Sequence, residues 1–142
     1  MRKIIGKKIL MTRIFDEKGF EQPVTLVKPE KSADQFKEGE VVNVTGISKG
    51  KGFSGTVKRH HFHLGPKTHG SDNYRRPGSI GATYPERVIK GRRMAGRLGG
   101  KKTTLKNLKI IKIDQKNQEM LLGGAIPGPR KAQVLIWSKH ES

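Results

Sequence analysis

Six residues, Gly50-Lys51-Gly52-Phe53-Ser54-Gly55, have the glycine spacing of loops that bind the phosphates of nucleotides. In a dinucleotide-binding fold such glycines lead directly into a helix, whose N-terminus holds the pyrophosphate. Here TVKRHHFHLGP follows, which is β-branched at its start, crowded with basic side chains and stopped by Pro66, so we predict no helix. The sequence favours a glycine-rich turn whose backbone approaches phosphates at Gly50, Gly52 and Gly55, with Lys49, Lys51, Lys58 and Arg59 as cationic partners. A nucleotide-binding enzyme that uses Gly50–Gly55 is the alternative.

Four histidines follow this loop and could ligate a metal: His60, His61, His63 and His69. The chain has no cysteine, and Asp72 is the only acid between Glu40 and Glu86, so no carboxylate pair accompanies them. We therefore predict no metal and assign His60, His61 and His69 to RNA contact. The motifs HExxH and GxSxG are also missing from the sequence, so no catalytic residue, cofactor or small-molecule substrate is expected.

The segment from His69 to Lys102 has the side chains best suited to contact RNA. It holds nine Lys/Arg and seven glycines against two acids. Arginine pairs with phosphate and stacks on bases, and glycine lets the backbone come close. The predicted RNA-binding residues are Arg75, Arg76, Arg87, Lys90, Arg92, Arg93, Arg97, Lys101 and Lys102, with backbone approach at Gly78, Gly81, Gly91 and Gly96. The segment also keeps apolar side chains, among them Tyr74, Tyr84 and Ile89, which predict a loop that becomes ordered against its partner.

The net charge of +18 is concentrated in the middle of the chain. Residues 43–110 hold sixteen basic and two acidic side chains, which repel one another unless a polyanion neutralises them. A membrane surface is the weaker partner, because glycine and proline oppose the amphipathic helix it would need. No apolar run is long enough to span a membrane. RNA is favoured over DNA because no groove-binding helix motif is present, although a general nucleic-acid-compacting protein stays an alternative.

Short strands are predicted on both sides of the basic segment. β-branched residues and partial alternation indicate strands at Lys3–Ile5, Pro23–Val27, Val41–Thr45, Leu105–Ile113, Glu119–Leu122 and Ala132–Trp137. Asp16–Gly19 and Asp114–Gln118 have the composition of hairpin turns. The pattern predicts a mainly β protein with a small antiparallel barrel or sandwich at residues 1–45 and 103–142, and a long irregular basic extension at residues 46–102. The one helix candidate, Arg87–Leu98, is interrupted by Gly91 and Gly96.

Several short motifs occur in a fixed order along almost the whole chain. They are GKK…MTRIF (Gly6–Phe15), PVT (Pro23–Thr25), a set from Phe36 to Arg59 that includes Asn43, Gly46, Ser48, Gly50-Lys51-Gly52 and Gly55, then THG (Thr68–Gly70), RRPGSIG (Arg75–Gly81), P-x-x-V-x-K-G (Pro85–Gly91), MAGRLG (Met94–Gly99) and GAIPGP (Gly124–Pro129). In these motifs the chain resembles the universal large-subunit ribosomal protein three, the L-three family, in its bacterial form.

The resemblance implies a β-barrel of the translation-protein type on the subunit surface, with an extension that runs into ribosomal RNA toward the peptidyl transferase centre. It also implies a structural protein without catalytic residues, bound early in assembly near the 3′ end of the large-subunit RNA. The implied partners are this RNA and neighbouring large-subunit proteins, with no membrane, in the cytoplasmic ribosome.

Three positions depart from the family pattern. Leu10 stands where the family usually has glycine, which predicts an altered tight turn. Ala82 stands where many bacterial members have a glutamine that can be methylated, so that modification cannot occur here. Only Leu26–Asp34 bridges PVT and Phe36, where the family normally has a substantial insert. Two questions stay open: whether the barrel closes, and whether the short link is natural or marks an absent segment.

Overall fold

The computed structural model describes residues 2–16, 18–31 and 35–138. In chain order its elements are β1 (Arg2–Phe15), β2 (Glu21–Pro29), β3 (Val41–Ile47), β4 (Phe53–Ser54), α1 (Thr56–His60), β5 (Gly96–Arg97), β6 (Lys102–Asp114), β7 (Glu119–Gly123) and β8 (Gln133–Ser138). Six strands form a closed barrel in the order β1-β2-β7-β6-β3-β8, and every neighbouring pair is antiparallel. The predicted mainly β fold with an antiparallel barrel is confirmed, and the barrel closes.

The barrel interior is filled by aliphatic side chains. On β3 Val42 and Val44 are buried, and on β8 Val134 and Ile136 are buried, as the two-residue period of a strand requires. The core comprises Ile4, Val27, Val42, Val44, Ile110, Met120, Leu122, Val134 and Ile136, closed by Phe36 and Ile126 from connecting segments. Because each strand needs only one apolar face, a chain with 32% apolar residues can fill this core.

Three β-bulges curve the sheet. The register shifts between Lys8 and Leu10 of β1, between Val42 and Val44 of β3 opposite an extra residue of β6, and again between Ile110 and Lys112 of β6. At the second bulge Asn107 has a positive φ of 59°, and its N–H donates to Asn43 Oδ1 at 3.2 Å. Bulges increase local twist and bend a strand, which is how a sheet of only six strands closes on itself.

Strand β1 is much longer than the predicted Lys3–Ile5. Its first half pairs with β8 and its second half with β2, so a single strand contributes to two sides of the barrel. Leu10 lies inside this strand, beside the bulge, so the expected effect on a tight turn at this position is wrong. The predicted hairpin turn follows β1: Asp16 Oδ1 accepts the N–H groups of Lys18 and Phe20 at 3.1 and 2.8 Å.

A half-buried lysine ties the connector before β8 to β1. Lys8 Nζ donates to the carbonyl oxygens of Ile126 and Gly128, each at 2.9 Å. The backbone of Lys8 adds two bonds, donating to Ala132 O at 2.9 Å and accepting from the Lys131 N–H at 2.7 Å. Burial, and secondarily the charge of Lys49, lowers the pKa of Lys8 below its ordinary value.

The contacts of the chain divide it into two compact units, Met1–Lys49 with Gly100–Ser142, and Gly50–Gly99. The second unit contains β4, β5 and α1, and its remaining residues are turns and irregular backbone. The predicted division, with an extension at residues 46–102, stays a prediction; β3 runs to Ile47 and β6 begins at Lys102, so strands reach into both ends of that range. The helix candidate Arg87–Leu98 forms no helix, and its last part contributes β5.

Candidate nucleic-acid interface

The glycine loop forms the base of the extension, the unit Gly50–Gly99. Strand β4 pairs with β5, with Phe53 opposite Arg97 and Ser54 opposite Gly96. Beside this pair the Lys51 N–H donates to Leu98 O at 2.8 Å, and the Leu98 N–H donates to Gly52 O at 2.9 Å. These bonds bring the two ends of the extension together. The backbone of the glycine loop is therefore hydrogen-bonded to another segment of the same protein.

The five-residue helix α1 begins directly after the glycines, and the prediction that no helix follows them is wrong. Gly55 caps its start in an extended conformation, and His61 ends it in the left-handed region at φ 58°. Lys58, Arg59 and His60 lie in its last turn, where cations interact favourably with the helix dipole. Strand β4 has two residues and pairs antiparallel with β5, so this part of the extension differs from the parallel strand-helix-strand unit of dinucleotide-binding folds.

Three of the predicted RNA-binding residues make side-chain contacts inside the extension, and two of them meet at one carbonyl oxygen. Arg59 Nη1 donates to Met94 O at 2.6 Å, and His60 Nε2 lies 3.0 Å from the same oxygen. The Arg59 guanidinium also lies over Gly96, where an added Cβ would be 2.6 Å from Nη1. Both side chains are half-buried, so the structure places them as links between α1 and the segment before β5.

A second internal bond closes the loop from Ser79 to Arg92. Arg92 Nη2 donates to Ser79 O at 2.8 Å, and the Ser79 hydroxyl donates to Gly81 O at 2.7 Å. Within the loop the Glu86 N–H donates to Thr83 O at 3.1 Å, which makes a turn with Tyr84 inside it. The Tyr84 side chain is 87% exposed.

A third contact involves Tyr74, one of the apolar residues that predict ordering of the loop against a partner. The Gly65 N–H donates to Tyr74 O at 3.0 Å, and the Lys67 ammonium lies 5.3 Å from the centre of the Tyr74 ring. An added Cβ at Gly65 would lie 2.7 Å from Asn73 O, so glycine is needed for this close backbone approach. Tyr74 is half-buried and already holds a cation of its own chain.

Most of the predicted cationic residues are exposed, and within the part of the chain that the structure describes their side chains make no hydrogen bond or ion pair. This group comprises Lys49, Lys51, Lys58, His61, His69, Arg75, Arg76, Arg87, Lys90, Arg93, Arg97, Lys101 and Lys102. Among the predicted backbone-approach glycines, Gly50, Gly52, Gly55, Gly78 and Gly91 have open space where a side chain would be, whereas Gly81 lies near Arg87 O and Gly96 near Arg59. Among the residues described, no group of three or more His, Asp or Glu is arranged to hold a metal ion.

Sequence reasoning missed one residue of this surface. Phe53 is 79% exposed and lies directly opposite the exposed Arg97 in the β4–β5 pair. An exposed aromatic ring among cationic residues can stack on a nucleotide base. The signal was available, because Phe53 is the one large apolar residue within the glycine loop.

Comparison with known proteins identifies the family. A family model described as Ribosomal protein L3 matches residues 18–123, which is most of the chain. The chain belongs to the ribosomal protein L3 family. The L3 family consists of structural ribosomal proteins and not of enzymes, in agreement with the prediction of no enzymatic activity.

Curated bacterial L3 relatives, each named large ribosomal subunit protein uL3, agree with this assignment. The protein of Geobacillus stearothermophilus is 51% identical over 112 residues, covering 79% of this chain and 53% of the relative. That of Exiguobacterium sibiricum is 52% identical over 107 residues, covering 75% and 51%. That of Pelotomaculum thermopropionicum is 45% identical over 133 residues, covering 93% and 63%. The chain thus spans about half the length of the first two L3 relatives.

The L3 assignment also bears on the short link Leu26–Asp34, which lies within the family match. Residues 32–34 of this link lie outside the described residues, and Glu30 and Lys31 follow directly on β2.

No helix in the described part of the chain has the length and apolar character needed to cross a bilayer.

Proposed function

We propose that this chain is a structural constituent of the large ribosomal subunit that binds large-subunit ribosomal RNA through its extension. In this role it supports early subunit assembly, has neighbouring large-subunit proteins as partners, and extends toward the peptidyl transferase centre of the ribosome. The name of its relatives, large ribosomal subunit protein, supports the location in the subunit. The RNA-binding role rests on the charge and exposure of the extension.

One observation carries the proposal: the extension presents its cations to the outside. It contains eleven Lys/Arg and only two acids, Asp72 and Glu86. Ten of the eleven are exposed, and Arg59 is the half-buried one. A folded segment with this charge is stabilised by a polyanion, because lysine and arginine release counterions from the phosphates they neutralise.

The internal bonds of the extension divide its arginines into two groups. Arg59 and Arg92 hold backbone carbonyls of Met94 and Ser79 and so shape the loop. Arg75, Arg76, Arg87, Arg93 and Arg97 are exposed, and within the described residues none of them makes such a bond. The second group is therefore available for phosphate contacts, and a planar guanidinium suits the irregular surface of folded RNA.

The test compares assembly and folding in one variant. Replacing Arg75, Arg76 and Arg93 together with alanine should lower incorporation into large subunits and reduce the salt dependence of binding to a large-subunit ribosomal RNA transcript. Thermal unfolding of the barrel should be unchanged, because these side chains lie in the other unit. The control replaces Lys7, Lys18 and Lys28, three exposed residues of the β1–β2 region, with alanine. It removes the same amount of positive charge.

Three results would contradict the proposal. The first is an unchanged subunit profile for the triple arginine variant. The second is equal loss of assembly in the lysine control. The third is saturable binding of ATP or NAD, or equal affinity for duplex DNA and ribosomal RNA at physiological salt, which would support the nucleotide-binding or nucleic-acid-compacting alternatives.

A further inference from the structure

A row of exposed lysines lies on the outside of the barrel and is not part of the extension Gly50–Gly99. Strand β6 has exposed lysines at Lys102, Lys106, Lys109 and Lys112, separated by three or four residues. They accompany the buried Ile110 of the same strand, which faces the core. At about 3.3 Å per residue, the row runs for about 30 Å along one strand.

The charge around the middle of this row is positive, and at its far end the Glu38 carboxylate accepts the Ile113 N–H at 2.8 Å. Strands β3, β6 and β8 are neighbours in the barrel, and their only acidic residue is Asp114 at the end of β6. Among residues 2–16, 18–31 and 35–138, the ion pairs join Arg2 to Glu40 and Arg13 to Glu21. The β6 lysines therefore have no acidic side chain bound to them within the described part of the protein.

An aromatic ring lies beside the lysines on the same outer surface. Trp137 of β8 alternates with the buried Ile136 and Ser138 and pairs with Asn43 of β3. Its indole N–H donates to Thr45 Oγ1 at 3.1 Å, which fixes the ring against β3. Thr45 Oγ1 in turn lies 2.9 Å from Thr104 Oγ1 of β6.

The strand pairing brings the ring and the lysines close together. Asn43 is opposite Trp137 on one side, and on the other its Oδ1 accepts the Asn107 N–H of β6 at 3.2 Å. Since neighbouring strands lie about 4.8 Å apart, the backbone of Lys106 is about 10 Å from that of Trp137. Lys109 is opposite Val41, two residues from Asn43 on the same strand.

We propose that Lys106, Lys109 and Trp137 form a second RNA-binding surface on the barrel, the β6–β8 face, in addition to the extension. This inference rests on the proposed function, because it assigns a further part of the same RNA to the barrel. The lysines neutralise phosphates, and the half-buried indole contacts a sugar or base. RNA fits better than a protein partner because Lys106, Lys109 and Trp137 offer one ring among cations, on strands whose only acidic residue is Asp114, whereas protein interfaces are depleted of lysine.

The sequence provides a local probe of this face, since Trp137 is the only tryptophan in the chain. The full chain is titrated with a large-subunit ribosomal RNA transcript while tryptophan emission is followed, with N-acetyltryptophanamide titrated in parallel to correct for absorption by the RNA. Emission should be quenched with the same isotherm as an independent binding measurement. In Lys106→Ala/Lys109→Ala the quenching should shrink, and the slope of log Kobs against log salt should fall by roughly 1.5.

The matched control is Lys7→Ala/Lys28→Ala, which removes two exposed lysines that pair with each other on β1 and β2. It should leave the quenching and the salt slope as in the wild type. An equal effect in both double variants would overturn the proposal. It would show that RNA responds to the overall positive charge of the protein and not to a specific face. Tight RNA binding with unchanged tryptophan emission and an unchanged slope in Lys106→Ala/Lys109→Ala would also overturn it, while leaving the proposed function intact. If the wild type bound no ribosomal RNA, the proposed function itself would fail.

Discussion

The guanidinium of Arg59 donates to the carbonyl oxygen of Met94 across 2.6 Å, and so joins helix α1 to a segment 35 residues later. His60 lies 3.0 Å from the same oxygen, and Gly96 leaves the space that the guanidinium occupies. The extension is therefore held by a few side-chain contacts to backbone carbonyls in addition to the short β4–β5 pair at its base. Loss of one such contact should be measurable within the extension alone.

Arg59→Ala should loosen the base of the extension. Because a hydrogen bond to a charged, half-buried group contributes about 1 kcal/mol or more, amide exchange at Lys51 and Leu98 should accelerate about 5- to 10-fold. Amides of the barrel strands should keep their protection. Arg93→Ala is the control, since it removes an exposed arginine that holds no carbonyl. Equal acceleration in both variants would show that Arg59 has no special structural role.

Gly96→Ala should act through Arg59. An alanine Cβ at this position would lie 2.6 Å from Arg59 Nη1 and 3.1 Å from Cζ, so the guanidinium must move away from Met94 O. In the wild-type background the substitution should cost about 1 kcal/mol, and in Arg59→Ala it should cost much less. A double-mutant cycle read by amide exchange at Leu98 measures this coupling. Strictly additive effects would contradict the mechanism.

Gly6→Ala should destabilise the barrel. The added Cβ would lie 2.7 Å from Val27 Cγ1 and 3.3 Å from Pro29 Cα, so a fully buried side chain and the β2 backbone must both shift. Overpacking of this kind costs about 1–3 kcal/mol, which chemical denaturation would detect. Gly50→Ala is the matched control, because nothing lies within 4 Å of its Cβ position. Unchanged stability in Gly6→Ala would mean that Val27 and the β2 backbone can shift to make room for the methyl group at little cost in free energy.

Thr25→Val should weaken the start of the connector after β7. The Thr25 hydroxyl is fully buried and donates to Gly124 O at 2.6 Å, so valine leaves that carbonyl without its donor. The expected loss is about 1–2 kcal/mol in free energy of unfolding. Thr103→Val makes the same chemical change at an exposed strand position and should change stability by less than about 0.5 kcal/mol. Similar losses at the two sites would argue against a specific role for the Thr25 bond.

Lys8→Met should release the connector Gly124–Pro129 and lower stability by about 1–3 kcal/mol, because two carbonyls lose their donor. The effect should depend on pH. The pKa of Lys8 in the folded state lies below its ordinary value, so the unfolded chain binds more protons between the two values, and wild-type stability rises with pH there. The difference between wild type and Lys8→Met should therefore grow with pH in this window. Lys49→Met removes only the neighbouring charge and should reduce the pH-dependent part alone.

The sequence predicted the barrel strands because their β-branched residues alternate with polar ones, as in Val41–Thr45 and Ala132–Trp137. It missed most of β1, where glycine and lysines at residues 6–8 interrupt the apolar pattern and the strand changes partners. It missed α1 because a helix of five residues depends on tertiary contacts such as Arg59 to Met94, and not on propensity. Lys8 could not be recognised from local sequence, since its carbonyl partners lie 118 and 120 residues away.

The cationic surface was easier to predict than its internal arrangement. Charge and glycine content identify the extension as a whole, and most of its predicted cations are exposed. Composition alone does not separate Arg92, which holds Ser79 O, from its neighbour Arg93. That distinction depends on how the backbone folds, which the sequence does not specify locally.

The closed hydrogen-bonding circuit of the six barrel strands has a consequence for the time before the protein meets its partner. Each of these strands has a neighbour on both sides, so among the described residues the barrel has no edge strand with one side wholly unpaired. An open sheet of the same sequence would have two edge strands, each a template for aggregation. Closure of the barrel thus protects the newly made chain during that interval, and the high positive charge adds mutual repulsion between copies.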